Sequence, residues 1–187
     1  MIDHGSVIES IISSESSFMT SPDGWIDMSS IWSNLKGMGV ERDEQKRSYA
    51  STKNWSRSST HFLGLVGEAA VSVLTGIPMN LMLDPMGDGC RDFIWDSYTI
   101  DVKGTLYWRE PHLKQYPNPK RWCDVYILVG IDEGSRRAKV AGWSTGAEVQ
   151  TADMVDYGHG PQRSIPHGRM HRGLPPMLPT RKNWANK

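Results

Sequence analysis

The chain has 187 residues, its 21 Lys and Arg balance 21 Asp and Glu, and 38% of it is hydrophobic. This length suffices for one ordinary domain with a real core, and zero net charge by itself predicts no binding partner. Two cysteines are too few for a disulfide framework and indicate a reduced, intracellular setting. We see no apolar run long enough to span a bilayer and no signal-peptide pattern, so we expect a soluble, cytoplasmic protein.

The charges are unevenly distributed along the chain. Residues 46–62 carry four bases and no acid, whereas residues 63–102 carry six acids against one base. Residues 103–124 carry five bases against two acids, and residues 150–187 carry six against two. An acidic centre between basic flanks is typical of a metal-dependent enzyme that acts on a polyanion, although an ordinary solvated surface gives the same pattern.

Residues 1–45 predict a helical N-terminal appendage. Residues 6–19 favour a short helix, and residues 21–39 favour a turn, a brief extended piece and a second helix that ends at glycine. This appendage could be a winged-helix-like element or a contact for a partner protein. Residues 46–61, rich in Ser, Lys and Arg, then predict a linker.

The clearest helix pattern covers residues 58–76. Serine and threonine at its start are typical N-caps, and Gly76 is a typical end. Apolar residues cover most of the circumference, so we expect this helix to be buried. One narrow stripe is polar or small and recurs at spacings of three and four residues, and Glu68 lies on it.

Residues 90–103 predict a β-hairpin with a two-residue turn at Asp96 and Ser97. Because side chains alternate across a strand, this register separates two faces. One face is consistently apolar and consists of Phe93, Trp95, Tyr98, Ile100 and Val102.

The other face of this hairpin carries Asp92, Asp101 and Lys103. The register places the two aspartates opposite each other, and like charges in that position normally destabilise a strand pair. A hard cation would relieve the repulsion, and Mg²⁺ or Mn²⁺ prefers such carboxylate ligands. With Glu68 on the adjacent helix, the pattern predicts a metal site for phosphodiester hydrolysis, in which Lys103 orients or activates the water.

Residues 105–121, with three prolines, predict an exposed basic and aromatic loop. Residues 122–131 form a strong buried-strand pattern, and residues 137–143 predict a second strand after a turn. The order of elements is helix, hairpin, two more strands and helix. This order predicts an α/β fold with a central mixed β-sheet flanked by helices.

The last third of the chain predicts one more helix and then little regular structure. Thr145 and Glu148 have capping-box spacing, so we expect a helix that starts there and ends near Gly158. From residue 159 onward, Gly, Pro, His and Arg dominate and predict a basic tail that is irregular or extended and packs on or extends from the core. The functional core should therefore span residues 46–158.

The helix glutamate, Asp92 and the "DVK" at residues 101–103 together resemble the PD-(D/E)XK nuclease superfamily, especially the small nucleases of phages and mobile elements. The resemblance covers roughly residues 60–150. It implies a restriction-endonuclease-like sandwich for the fold. Arg91 stands where the motif name has proline, a position where proline is often absent in the superfamily.

The resemblance also implies roles for individual residues. Asp92 and Asp101 would bind the metal, and the backbone carbonyl of Val102 would add a ligand. Lys103 would serve the attacking water. Glu68 would bind or position a second metal or its water.

Basic and aromatic residues around the core predict contacts with DNA. Cations bind phosphates without reading sequence, and exposed aromatic rings stack on bases. The candidates are Lys53, Arg57, Tyr107, Trp108, Arg109, Lys114, Lys120 and Arg121.

Two other candidate sites fit less well. His167 and His171 have helical spacing, but the glycine and prolines around them argue against a helix and a zinc site. Asp88 lies in "GDG", which is typical of a turn.

These residues predict a Mg²⁺- or Mn²⁺-dependent deoxyribonuclease encoded by a phage or mobile element, with DNA as its partner. On the same fold, a structure-selective junction resolvase or a recombination exonuclease is the alternative, and a homodimer is left open. A DNA-binding module without catalysis is the alternative of another class.

Overall fold

The computed structural model describes residues 4–14, 18–47, 57–79, 91–119, 122–158 and 160–181. The side chains of residues 4–6, 13, 43–47 and 57–60 are outside this description. No helix in the described ranges is both long and apolar enough to cross a membrane.

The described residues form four α-helices and eight strands. The helices are α1 (His4–Ser13), α2 (Trp32–Arg47), α3 (Arg57–Thr75) and α4 (Gly146–Thr151). The strands are β1 (Ile26–Asp27), β2 (Phe93–Trp95), β3 (Tyr98–Thr105), β4 (His112–Gln115), β5 (Val125–Asp132), β6 (Arg137–Thr145), β7 (Asp153–Asp156) and β8 (Pro161–Pro166). A short 3₁₀ turn follows at His167–Arg169.

The central sheet has five strands in the order β1-β6-β5-β3-β2. Strands β3 and β5 are parallel, and every other neighbouring pair in this sheet is antiparallel. A second sheet has three strands in the order β4-β8-β7. The predicted α/β architecture with a mixed central sheet is therefore confirmed, and the long apolar runs predicted as strands are β5 and β6.

Each face of the central sheet has its own core. On the first face, Ile100 and Val102 of β3 share a buried cluster with Leu65 and Val66 of α3. Helices α1 and α2 contribute to the same cluster, and β1 joins the sheet beside β6. On the second face, Tyr126 belongs to a separate cluster that also draws on the small sheet. Residues on opposite faces of β3 thus meet different surroundings.

Two glycines let α3 approach β3 closely. A Cβ at Gly67 would lie 3.1 Å from Cγ1 of Val102. A Cβ at Gly104 would lie 2.2 Å from the carbonyl oxygen of Leu63, a distance that real Cβ atoms do not reach. The helix therefore lies directly on the face of β3 that carries Val102 and Gly104.

The predicted hairpin is confirmed in its turn and in its pairs from the turn to Phe93, whereas the predicted pair of Asp92 with Asp101 is not part of the ladder. Asp96 and Ser97 both have positive φ, 45° and 69°, as a two-residue hairpin turn requires. Trp95 pairs with Tyr98 and Phe93 with Ile100. The apolar face is buried only at its inner end, because Trp95 and Tyr98 at the tip are exposed.

The predicted end of the last helix is wrong. The capping box at Thr145 and Glu148 is present, but α4 stops at Thr151 and the next residues form β7. The cause is tertiary, since β7 pairs with β8 across a turn that contains Gly158 and Gly160 at φ of 88° and 90°.

The first part of the predicted tail is extended and not irregular, since it forms β8. Strand β8 is the centre of the small sheet, and its Ile165 is buried in the second core. Similarly, part of the predicted loop at 105–121 forms β4, which pairs with β8. Local composition did not reveal either strand, because each forms only against the other.

The predicted end of the second helix near Gly39 is wrong as well, since α2 continues to Arg47. Gly39 serves packing instead. A Cβ there would lie 3.1 Å from Cβ of Phe62 on α3. The turn and the brief extended piece before this helix are present, the latter as β1.

Candidate active site

Asp101 and Lys103 project from the second face of β3, where they alternate with the buried apolar residues of the first face. Asp101 is only 3% exposed. The Nζ of Lys103 donates to its Oδ1 at 3.0 Å and lies 2.7 Å from its Oδ2. This ammonium neutralises the buried carboxylate, so one of the two predicted like charges is compensated by its neighbour on the same strand.

Asp92 lies at the point where the hairpin ladder ends. The paired register stops at Phe93 and Ile100, and the N–H of Asp92 donates to the carbonyl of Ile100 at 2.9 Å. Its Oδ2 accepts a hydrogen bond from the N–H of Val102 at 2.6 Å. A charge-assisted bond of this kind stabilises a carboxylate, so the second like charge is compensated by the backbone.

One peptide unit therefore links the Asp92 carboxylate to the backbone of Asp101. Asp92 accepts from the N–H of the Asp101–Val102 peptide, and Asp101 supplies the other side of that peptide. Lys103 follows directly and reaches back to Asp101. The structure brings Asp92, Asp101 and Lys103 together at the inner end of the hairpin.

Glu68 belongs to α3, the helix that packs on the face of β3 opposite to Asp101 and Lys103. It is buried on α3, the helix that lies on the first face, and its Oε1 is 3.9 Å from Nη1 of Arg42. Across the part of the chain that the structure describes, no three His, Cys, Asp or Glu side chains are grouped closely enough to hold a metal ion. A role for Glu68 as a third ligand thus stays a prediction.

The two aspartates nevertheless match what Mg²⁺ needs from a protein. This ion usually takes one or two carboxylates together with waters and substrate phosphates. The Lys103 side chain is 32% exposed, so its ammonium is accessible from solvent even while it contacts Asp101. The donor set of Asp92 and Asp101 therefore fits a hard divalent cation that is completed by the substrate.

Tyr126 was not a candidate from the sequence, yet it is paired with Asp101 in the parallel register. Aligned residues of neighbouring strands face the same way, so the two side chains share the second face. Its hydroxyl accepts from the N–H of Cys123 at 3.0 Å and from Nε2 of Gln115 at 3.4 Å. Burial, with a further contribution from the Asp101 charge, raises the pKa of Tyr126 above its ordinary value. Its one sequence signal is a polar tip within an otherwise apolar strand.

Asp124 fixes the relative position of β3 and β5. Its Oδ2 accepts from the N–H of Thr99 at 2.8 Å and from the Thr99 hydroxyl at 2.7 Å. The backbone and side-chain hydrogen bonds from Thr99 lower the pKa of Asp124. Thr99 lies two residues before Asp101 on β3, so these hydrogen bonds hold the register between β3 and β5 on which the site depends.

The predicted DNA contacts in the loop after β3 are exposed. Tyr107 is 80% exposed and Trp108 38% exposed. The guanidinium of Arg109 lies 5.3 Å from the Trp108 ring centroid. Lys114 is engaged elsewhere, because its Nζ lies 3.5 Å from the ring centroid of Tyr157.

Several other candidates lie outside the described residues. They are Lys53, Lys120, Arg121 and Asp88, together with the side chain of Arg57. His171 is described, and its Nε2 lies 2.9 Å from Oε1 of Glu148 while its ring stacks on Trp143 at 4.3 Å.

We compared the chain with protein-family models, with curated proteins and with solved structures, and nothing matched.

Proposed function

We propose that the protein is a Mg²⁺- or Mn²⁺-dependent deoxyribonuclease with a restriction-endonuclease-like arrangement. One observation carries this proposal: the Asp92 carboxylate accepts from the N–H of the Asp101–Val102 peptide, and the Lys103 ammonium contacts the Asp101 carboxylate. The mixed central sheet, with β3 parallel to β5 and α3 on its first face, supports it.

The reaction would be hydrolysis of a phosphodiester bond. The oxygen of a water bonds to phosphorus as the ester P–O bond breaks, and the leaving oxygen takes up a proton. A divalent cation held by Asp92 and Asp101 would lower the pKa of the water and neutralise charge on the phosphate.

The chain's own residues would prepare this reaction. The bond from Val102 orients the Asp92 carboxylate before any substrate arrives. Lys103, which is partly exposed, would turn from Asp101 to the water or to a phosphate oxygen. Buried Glu68, with Arg42 beside it, would position the site from the α3 side.

The test is cleavage of supercoiled plasmid, linear duplex and single-stranded DNA, each with Mg²⁺, with Mn²⁺ or with EDTA. We expect cleavage that needs the metal. The cleavage rate should fall by about a hundredfold or more in Asp101→Asn and in Lys103→Met. Asp96→Asn and Lys36→Met are matched controls, since both residues are exposed and Asn tolerates the positive φ at 96. Both controls should cleave as the wild type does.

The products separate the modes of action. Nicked circles indicate an endonuclease, shortened linear ends an exonuclease, and selective cutting of a four-way junction a resolvase. If folded protein leaves every substrate intact in both metals, the hydrolase is rejected. DNA binding that persists in that case would indicate a DNA-binding module.

A further inference from the structure

Besides the candidate active site, a pocket lies on the same face of the central sheet as Asp101 and Lys103. It has a volume of about 320 Å³. Aromatic and cationic side chains dominate its lining, and among the described residues no acidic one lines it. The residues that matter here are Trp25, Trp108, Arg109, Gly130, Lys139 and His167, and we name this the Trp25–Trp108 pocket.

The parallel register explains how the pocket forms. Thr105, the last residue of β3, is aligned with Gly130 of β5. The chain then crosses β5, so that a Cβ at Gly130 would lie only 2.7 Å from Cβ of Trp108. Glycine at this position leaves room for the tryptophan on the sheet. The Trp25 ring meets Trp108 edge to face, with centroids 5.2 Å apart.

Positive charge surrounds these two rings. The Arg109 guanidinium lies 5.3 Å from the Trp108 centroid, and that of Arg137 lies 5.3 Å from the Trp25 centroid. Lys139 is paired with Gly130 across β5 and β6, which places it on the same face of the sheet. Arg137 also pairs with Asp132 at 3.6 Å, so Arg109 and Lys139 are the cations that an anion would meet in the pocket.

The pocket continues directly from the candidate active site. Lys103 is aligned with Leu128, and Gly130 is two residues further along β5 on the same face. At about 3.3 Å per residue, the floor of the pocket is roughly 7 Å along the strands from Lys103. A polymer whose backbone crosses Lys103 would therefore have its neighbouring unit at the pocket.

We propose that the Trp25–Trp108 pocket binds one unpaired nucleotide of single-stranded DNA, next to the nucleotide at the active site. The base stacks on the Trp108 ring, and its phosphate is bound by Arg109 and Lys139. A base inside a duplex has no free face for such a ring, so the pocket selects single strands or unpaired ends. The choice of a nucleic acid as the polyanion rests on the proposed function.

The test is fluorescence anisotropy of a labelled oligothymidylate, and of a duplex of the same length, both in EDTA. The single strand should bind more tightly than the duplex, and Trp108→Ala should weaken single-strand binding about tenfold. Trp95→Ala is the matched control, because Trp95 is 37% exposed and Trp108 38%. Trp108→Phe keeps an aromatic ring and should retain most of the affinity.

A second pair of variants tests the cations without removing a ring. Arg109→Gln and Lys139→Gln should each weaken single-strand binding. Each should also reduce the slope of the logarithm of the binding constant against the logarithm of the salt concentration by about 0.7 in magnitude. Arg172→Gln, at an exposed arginine, should leave the slope unchanged. Equal affinity of Trp108→Ala, Trp95→Ala and the wild type would overturn the proposal, as would a duplex that binds as tightly as the single strand.

Binding in EDTA does not depend on catalysis, so the two proposals fail separately. Single-strand binding that needs Trp108 but occurs without cleavage in any metal would keep the pocket and reject the hydrolase. Metal-dependent cleavage that Trp108→Ala leaves unchanged, together with unchanged affinity, would keep the hydrolase and reject the pocket.

Discussion

At Asp101, a carboxylate that is 3% exposed depends on the ammonium of Lys103 for its neutralisation. A buried charge that loses an ion-pair partner is costly because water does not replace that partner. We expect Lys103→Met to lower the free energy of unfolding by about 2 kcal/mol. Adding Asp101→Asn to that variant should recover part of the loss, because the uncompensated charge is then gone.

Urea denaturation of the wild type, both single variants and the double variant measures this coupling. If the losses of unfolding free energy in the two single variants add up to the loss in the double variant within about 0.5 kcal/mol, the contact between Lys103 and Asp101 contributes nothing to stability.

Asp124 makes the stability of the folded protein depend on pH in the acidic range. Hydrogen bonds from Thr99 lower the pKa of Asp124 in the folded state. A carboxyl whose folded pKa is depressed stabilises the protein above its unfolded pKa, near 4, and loses that contribution as pH falls through the folded value. The stability difference between wild type and Asp124→Asn should therefore be largest above about pH 5 and shrink steadily below pH 4.

Thermal denaturation of both proteins across that pH range measures the difference. A difference that stays constant from neutral pH to strong acid would mean that the Asp124 charge does not act in the native state.

At the scale of elements, the contact between α3 and β3 positions the site. Gly104 follows Lys103, and its missing side chain lets the carbonyl of Leu63 approach. Gly104→Ala would place a Cβ 2.2 Å from that backbone oxygen, which has no flexible end to move aside. We expect a loss of about 3 kcal/mol in unfolding free energy, with reduced cleavage because the strand that carries Lys103 must shift.

Gly168→Ala is the matched control for this substitution, because a Cβ there meets no atom of the described residues within 4 Å. It should change the midpoint of chemical denaturation little. Equal stability of both variants would show that the helix is not held as closely to the strand as this contact requires.

The stability of the whole molecule should depend on the second core, which β8 completes. Ile165 of β8 is buried on the second face, in the same cluster as Tyr126. Truncating a buried isoleucine removes apolar contacts and leaves a cavity, so Ile165→Ala should cost about 2–4 kcal/mol. Met154→Ala, at a 43% exposed position of β7, should cost much less.

Chemical denaturation of these two variants decides whether the last strands are integral to the fold. A single cooperative transition that shifts for Ile165→Ala would show one folding unit. An unchanged transition would mean that the small sheet contributes nothing to the stability of the central one.

Sequence patterns predicted the local features of this protein well. The turn at Asp96 and Ser97, the pairing of Phe93 with Ile100 and the capping box at Thr145 all depend on residues close together in the chain. Short-range chemistry decides such features, since the turn type and the alternation of side chains leave one consistent register.

The sequence by itself also placed Asp92, Asp101 and Lys103 on one face of a hairpin, but only the tertiary structure decided how their charges are compensated. The Val102 N–H became available to Asp92 because the ladder ends at Phe93, and Tyr126 reached Asp101 through the parallel pairing of β3 with β5. Strands β4, β7 and β8 and the meeting of Trp25 with Trp108 were likewise decided by partners distant in the chain. Such contacts are set by burial and long-range pairing, which no local pattern of residues encodes.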